Sequence, residues 1–113
     1  MIFAFDLDGT LEPFGGPIPF SVLVALHRAG HRLSTAGDSP GIEQQEQWEA
    51  NGAFPDFILS KDELRLLLIL EEPIICIDDD ERQRPIAEKD DMLFLSPEEF
   101  MSKRHMWLPW REV

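Results

Sequence analysis

Short apolar runs alternate along the chain with longer amphipathic stretches, the pattern of a parallel sheet covered by helices on both faces. The first run, Ile2 to Phe5, stops at Asp6, and a stretch from Glu12 to Pro19 rich in proline and glycine reads as a loop or small hairpin. A helix is predicted from about Phe20 to Ala29. His27 and Arg28 fall in its last turn, where cations suit the helix dipole, and Gly30 is its stop. A second strand spans His31 to about Ser34. Asp38 and Ser39 before Pro40 open a second helix, polar and therefore expected on the outside, which Gly52 ends.

A third strand is predicted at Phe57 to Leu59. Ser60 and Glu63 have the spacing of a capping box, which opens a helix through about Leu70 although Leu64 to Leu70 is apolar nearly all round. A fourth strand, Ile74 to Ile77, ends in Asp78-Asp79-Asp80, and a weak helix follows near Gln83 to Lys89. A fifth strand covers Met92 to Leu95, and Ser96-Pro97-Glu98-Glu99 combines a capping serine, a first-turn proline and a glutamate three residues on. The expected fold is α/β: a three-layer α/β/α, Rossmann-like arrangement with a five-stranded parallel sheet. Residues 1–113 form one domain, with 104–113 as a C-terminal tail.

Composition changes the picture in three respects. The 113 residues are 43% hydrophobic and 28% charged, a globular balance that can close one core but not two. Ten Lys and Arg stand against 22 Asp and Glu, a net charge of −12, which repels nucleic-acid backbones and anionic lipid. The one cysteine, Cys76, leaves no intramolecular disulfide and no thiolate cluster, and it suits a reducing compartment. With no basic leader and no apolar run of spanning length, a cytoplasmic protein is expected.

In an open parallel sheet, ligands bind beyond the carboxyl ends of the strands. There the sequence places Asp6 and Asp8 after the first strand, Ser34 and Thr35 at the second, Lys61 after the third and Asp78, Asp79 and Asp80 after the fourth. Carboxylates about 4 Å apart repel by on the order of 4 kcal/mol per pair at an effective dielectric near 20. Gathering them therefore calls for compensation, and a hard divalent cation such as Mg²⁺ prefers carboxylate and carbonyl oxygen. A hydroxyl and a lysine beside them are what the equatorial oxygens of a phosphoryl group need. Taken singly, each feature has an ordinary alternative: Asp-x-Asp as a solvated turn, the aspartate triplet as a solvated loop, Lys61 as a surface lysine, Ser34 and Thr35 as structural hydroxyls. His27, His31 and His105 show no metal-ligand spacing.

Asp6-Leu7-Asp8-Gly9-Thr10 directly after an apolar strand, followed in order by a hydroxyl residue, a lysine and an acidic pair, resembles the haloacid dehalogenase superfamily of phosphotransferases. The resemblance covers the first four-fifths of the chain, and its first motif is the specific one. It implies Asp6 as nucleophile forming an aspartyl phosphate, Asp8 as general acid and base, and Lys61 with one hydroxyl of the Ser34-Thr35 pair, Thr35 being the preferred one, as phosphoryl-binding groups. It also implies Mg²⁺ held by the Asp6 carboxylate, the Asp8 backbone carbonyl and the Asp78/Asp79 pair, Asp79 being the favoured direct ligand; Asp80 is not expected to reach. The chain differs from many members in having no room for a cap domain, either between Thr10 and Thr35 or between Thr35 and Lys61. A capless member resembles those that act on large or exposed phosphate esters or that borrow a neighbouring subunit as lid, which leaves the substrate itself open, a large or exposed phosphate ester being the expected class.

Two other readings stand beside this one. A receiver-type phosphoacceptor domain would place its acceptor aspartate after the third strand, where this chain has Leu59-Ser60. A catalytically silent module would keep the fold and bind partners through its acidic surface or its tryptophans. Trp107 and Trp110 near the terminus either pack on their own domain or mate with a second copy in a homo-oligomer.

Overall fold

The computed structural model describes residues 1–109. Four short strands, β1 (Ile2–Phe5), β2 (Arg32–Thr35), β3 (Ile74–Ile77) and β4 (Leu93–Leu95), form one all-parallel sheet in the order β2-β1-β3-β4. The α-helices are α1 (Phe20–Arg28), α2 (Gly41–Ala50), α3 (Arg84–Lys89) and α4 (Pro97–Lys103). No helix among the described residues is long and apolar enough to cross a membrane.

Alternation along the strands sends side chains to two apolar layers. Phe3, Phe5, Leu33 and Ile75 pack with Leu23 and Leu26 of α1, Trp48 of α2 and Phe100 of α4. Ile2, Ala4, Ile74 and Cys76 pack on the opposite face with Leu64, Leu67 and Ala87. The predicted α4 start is present in full: Ser96 Oγ accepts from the Glu99 N–H while the Glu99 carboxylate accepts from the Ser96 N–H. That reciprocal pair satisfies two amide donors which the first helical turn would otherwise leave open.

Three expectations are corrected. The sheet has four strands, because Phe57 to Leu59 makes a single parallel bridge, Ser34 to Phe57, and no ladder. Side chains take over on both sides of that bridge: Asp56 Oδ2 accepts from the Leu33 N–H at 2.8 Å, and Thr35 Oγ1 binds both Leu59 backbone groups. With those backbone groups satisfied, strand pairing gains nothing further. The stretch Lys61–Leu70 is a ten-residue 3₁₀ helix rather than an α-helix. Its inward stripe has period three, Lys61, Leu64 and Leu67, as eclipsed 3₁₀ side chains require. Finally, α2 is not an outside helix only, since Gln44 and Trp48 are fully buried.

The C-terminal stretch folds back on the domain. Trp107 stacks on Phe100 at 5.8 Å and meets Phe3 edge-on, and His31 Nε2 lies 3.2 Å from the Trp107 carbonyl oxygen. Trp110 lies outside the described residues.

Candidate metal centre

The register of the sheet builds the site. Phe5 pairs with Ile77 across β1 and β3, so the next residues, Asp6 and Asp78, leave adjacent parallel strands side by side. Both backbones continue the ladder for one more bond: Asp6 N–H donates to Ile77 O at 2.9 Å and Asp78 N–H to Leu95 O at 3.2 Å. Side-chain alternation then turns both carboxylates toward the same rim. Asp6 and Asp78 are buried, and Asp79 approaches from the loop above. One carboxylate oxygen from each of Asp6, Asp78 and Asp79 lies within 4.8 Å of the others.

Gly9 is what lets Asp79 in. Its φ is +74°, a conformation that costs a residue with a Cβ, and a Cβ there would stand 2.1 Å from Asp79 Oδ2 and 2.6 Å from its Cγ. The glycine of the first motif therefore serves both the turn and the approach of an acid seventy residues later in the chain. Thr10, fully buried, points its hydroxyl at Asp6 Oδ2 across 3.4 Å.

The electrostatics match the crowding. Burial first, then the neighbouring Asp78 charge and the contact with Asp79, push the Asp6 carboxyl up to about 8, against the opposing pull of Lys61. Burial likewise raises Asp78, although it accepts from the Asp80 N–H at 2.8 Å and from Lys61. Lys61 Nζ sits 2.9 Å from Asp78 Oδ2 and 3.4 Å from Asp38 Oδ1. Burial works against its ammonium, but the bond to Asp78 and the surrounding carboxylates hold its pKa above the usual lysine value. Lys61 and Arg82, the latter held by Asp80, are outnumbered by the carboxylates at this rim, which leaves negative charge uncompensated.

The donor set fits a hard divalent cation: three carboxylates, two of them buried, with no sulfur or imidazole among them. Asp80 lines the same open pocket as Asp6 and Asp79 but lies outside the carboxylate trio. It caps the short 3₁₀ turn Glu81–Gln83 and holds the Arg82 side chain at 2.9 and 3.0 Å, which brings its own carboxyl down to about 2.

Of the expected site residues, the structure brings together Asp6, Asp78, Asp79 and Lys61. Asp8 lines the same open pocket, with its side chain outside the carboxylate trio. Thr35 does not line it. Its side chain is fully buried, and Oγ1 donates to Leu59 O at 2.7 Å while accepting from Leu59 N–H at 2.8 Å. Ser34, also fully buried, donates to the Thr35 carbonyl. The position beside Asp6 in register is Ala36, whose N–H donates to Phe5 O.

Two residues at the pocket were not singled out from sequence, Asp38 and Arg82. Asp38 lies in the loop three residues beyond β2, so the rule that points to the carboxyl ends of the strands covers it, while its place two residues before Pro40 reads as a helix start. Arg82 carries no such signal. Compared with protein-family models, with curated proteins and with solved structures, the chain has no match in any of the three.

Proposed function

We propose that this α/β domain is a Mg²⁺-dependent phosphatase or phosphotransferase of the haloacid dehalogenase type, without a cap, acting through an aspartyl phosphate on a large or exposed phosphate ester. The observation that carries the reading is the convergence of Asp6, Asp78 and Asp79 with Lys61 at the carboxyl end of β1 and β3. Asp6, Asp78, Asp79 and the backbone carbonyl of Asp8 would hold Mg²⁺, which when bound offsets the charge of the carboxylates and of the phosphoryl oxygens.

The chain's own groups have separable roles. Asp6 supplies the attacking carboxylate oxygen, and the phosphorus–oxygen bond to the leaving group breaks as the bond to Asp6 forms. Asp8 protonates the leaving oxygen and later takes a proton from the water that cleaves the acyl phosphate. Lys61, held by Asp78, offsets charge on the phosphoryl oxygens. Thr35 acts one step back: by gripping both backbone groups of Leu59 it fixes the chain two residues before Lys61, whose own N–H is tied to Gly37 O at 2.9 Å.

A catalytically silent module is the second reading, and one observation favours it: both hydroxyls at the end of β2 are buried and engaged, so neither is free for a phosphoryl oxygen. Hydrolysis of p-nitrophenyl phosphate and a panel of phosphorylated compounds, with and without Mg²⁺, separates the two. Mg²⁺-dependent turnover that Asp6→Asn abolishes supports the enzyme. Absence of turnover across the panel, with Mg²⁺ still bound, supports the silent module.

A further inference from the structure

The face opposite the aromatic core carries an apolar ridge that none of the described residues covers. Along the 3₁₀ helix Lys61–Leu70 the inward stripe leaves a second stripe, and its members Leu66 and Ile69 are 64% and 86% exposed. Runs of 3₁₀ longer than three or four residues are uncommon because their hydrogen bonds are poorly aligned, so a ten-residue run is a loosely held element. Between this helix and α3 lies a cavity of about 50 Å³, floored by the small side chains Ala4, Ala36 and Cys76 and walled on the helix side by Leu64 and Arg65, with neither Leu66 nor Ile69 in its lining. Ile86 of α3, 56% exposed, forms part of its wall, and the Arg65–Asp90 ion pair at 3.3 Å spans the gap between the two helices.

Charge decides what can cover the ridge. Asp62 and Glu63 stand exposed at one end of the helix and Glu71 at the other. A second copy, itself at −12, would set carboxylates against carboxylates, and anionic lipid or nucleic acid meets the same repulsion. A surface of apolar knobs closed at both ends by acids is complementary to an amphipathic helix with a leucine-like face flanked by lysine or arginine. We propose that the ridge of Leu66 and Ile69 is a docking surface for a cationic amphipathic segment of a partner protein, whose apolar face packs on these two side chains. The proposal stands on surface geometry and charge and does not depend on the phosphatase reading.

The probe is a fluorescein-labelled amphipathic helix of leucine and lysine, measured by anisotropy against the whole chain, with a serine–lysine peptide of equal charge as control. The leucine–lysine peptide is expected to bind. Leu66→Ser combined with Ile69→Ser is expected to weaken it at least tenfold, while the control peptide binds wild type and variant alike. Both side chains point outward, so the variant should melt as wild type does. Amide shift changes in the unmodified protein supply a second readout, expected to concentrate in residues 63–71. Equal affinity for wild type and variant, no binding, or shifts centred on the Asp6 pocket would overturn the proposal. So would a wild-type dimer in sedimentation that the variant dissolves, which would assign the ridge to a second copy.

Discussion

Asp6 and Asp78 occupy equivalent positions, each one residue past the end of its strand, on neighbouring parallel strands whose register pairs Phe5 with Ile77. Parallel pairing repeats the same geometry along both chains, so two residues in register leave the sheet close together and in the same direction. The acidic centre is thus a consequence of register. A one-residue slip of β3 would turn Asp78 to the other face and Ile77 toward the rim. Two like charges held this way are unfavourable until something neutralises them, and the following outcomes depend on that.

Asp6→Asn should stabilise the protein without added cation by about 1–3 kcal/mol at neutral pH, since a pKa held several units above its unfolded value costs about 1.4 kcal/mol per unit. The same substitution should remove stabilisation by Mg²⁺. Thermal or urea unfolding with and without millimolar Mg²⁺ measures both, and a loss of stability without cation would speak against a strained acidic centre.

Stability without cation should fall as pH rises from about 4 to about 8. Asp6 has a folded-state pKa of about 8 against an ordinary value of 3.8, so in that window the folded state holds a proton the unfolded state has lost. The slope of unfolding free energy with pH is then negative. Saturating Mg²⁺ should flatten or reverse the trend, because a cation binds the ionised form and competes with the proton. Melting curves across this range, in Mg²⁺ and in a chelator, test the sign.

Gly9→Ala should leave the protein folded but weaken cation binding by roughly tenfold or more, the scale seen when a residue that positions a ligand is altered. The added Cβ overlaps Asp79 and must push that carboxylate out of the trio. The Mg²⁺ concentration at half-maximal thermal shift is the readout, and an unchanged value would show that Asp79 is not a ligand.

Thr35→Val should cost about 1–3 kcal/mol, because it strands the Leu59 N–H and leaves the Leu59 carbonyl only the long 3.4 Å bond from Gln44 Nε2. Thr35→Ser, which keeps the hydroxyl, should restore most of that stability. If Thr35 serves to place Lys61, the valine variant should also lose Mg²⁺-dependent hydrolysis more steeply than it loses Mg²⁺ binding.

Much of this arrangement is legible in the chain. Ile2–Phe5 and Ile74–Ile77 read as strands because short β-branched or aromatic runs end abruptly in acids, and those endings also located the site. The α4 start was legible because capping is local chemistry, written in Ser96, Pro97 and Glu99. What failed was set at longer range. Phe57 to Leu59 has the composition of a strand, but Asp56 and Thr35 claim the backbone groups that its ladder would have used. Which way Thr35 faces depended on a register that so short a run does not reveal. The period of Lys61–Leu70 was hidden because leucines fill nearly every position, so α and 3₁₀ windings fit the sequence equally well.

The most direct test of the central claim is Mn²⁺ binding followed by electron paramagnetic resonance, with Mg²⁺ as competitor. One Mn²⁺ per chain, displaced by Mg²⁺ and lost in both Asp6→Asn and Asp79→Asn, is the expected result. Absence of binding, or weak binding at several sites that neither substitution alters, would contradict it.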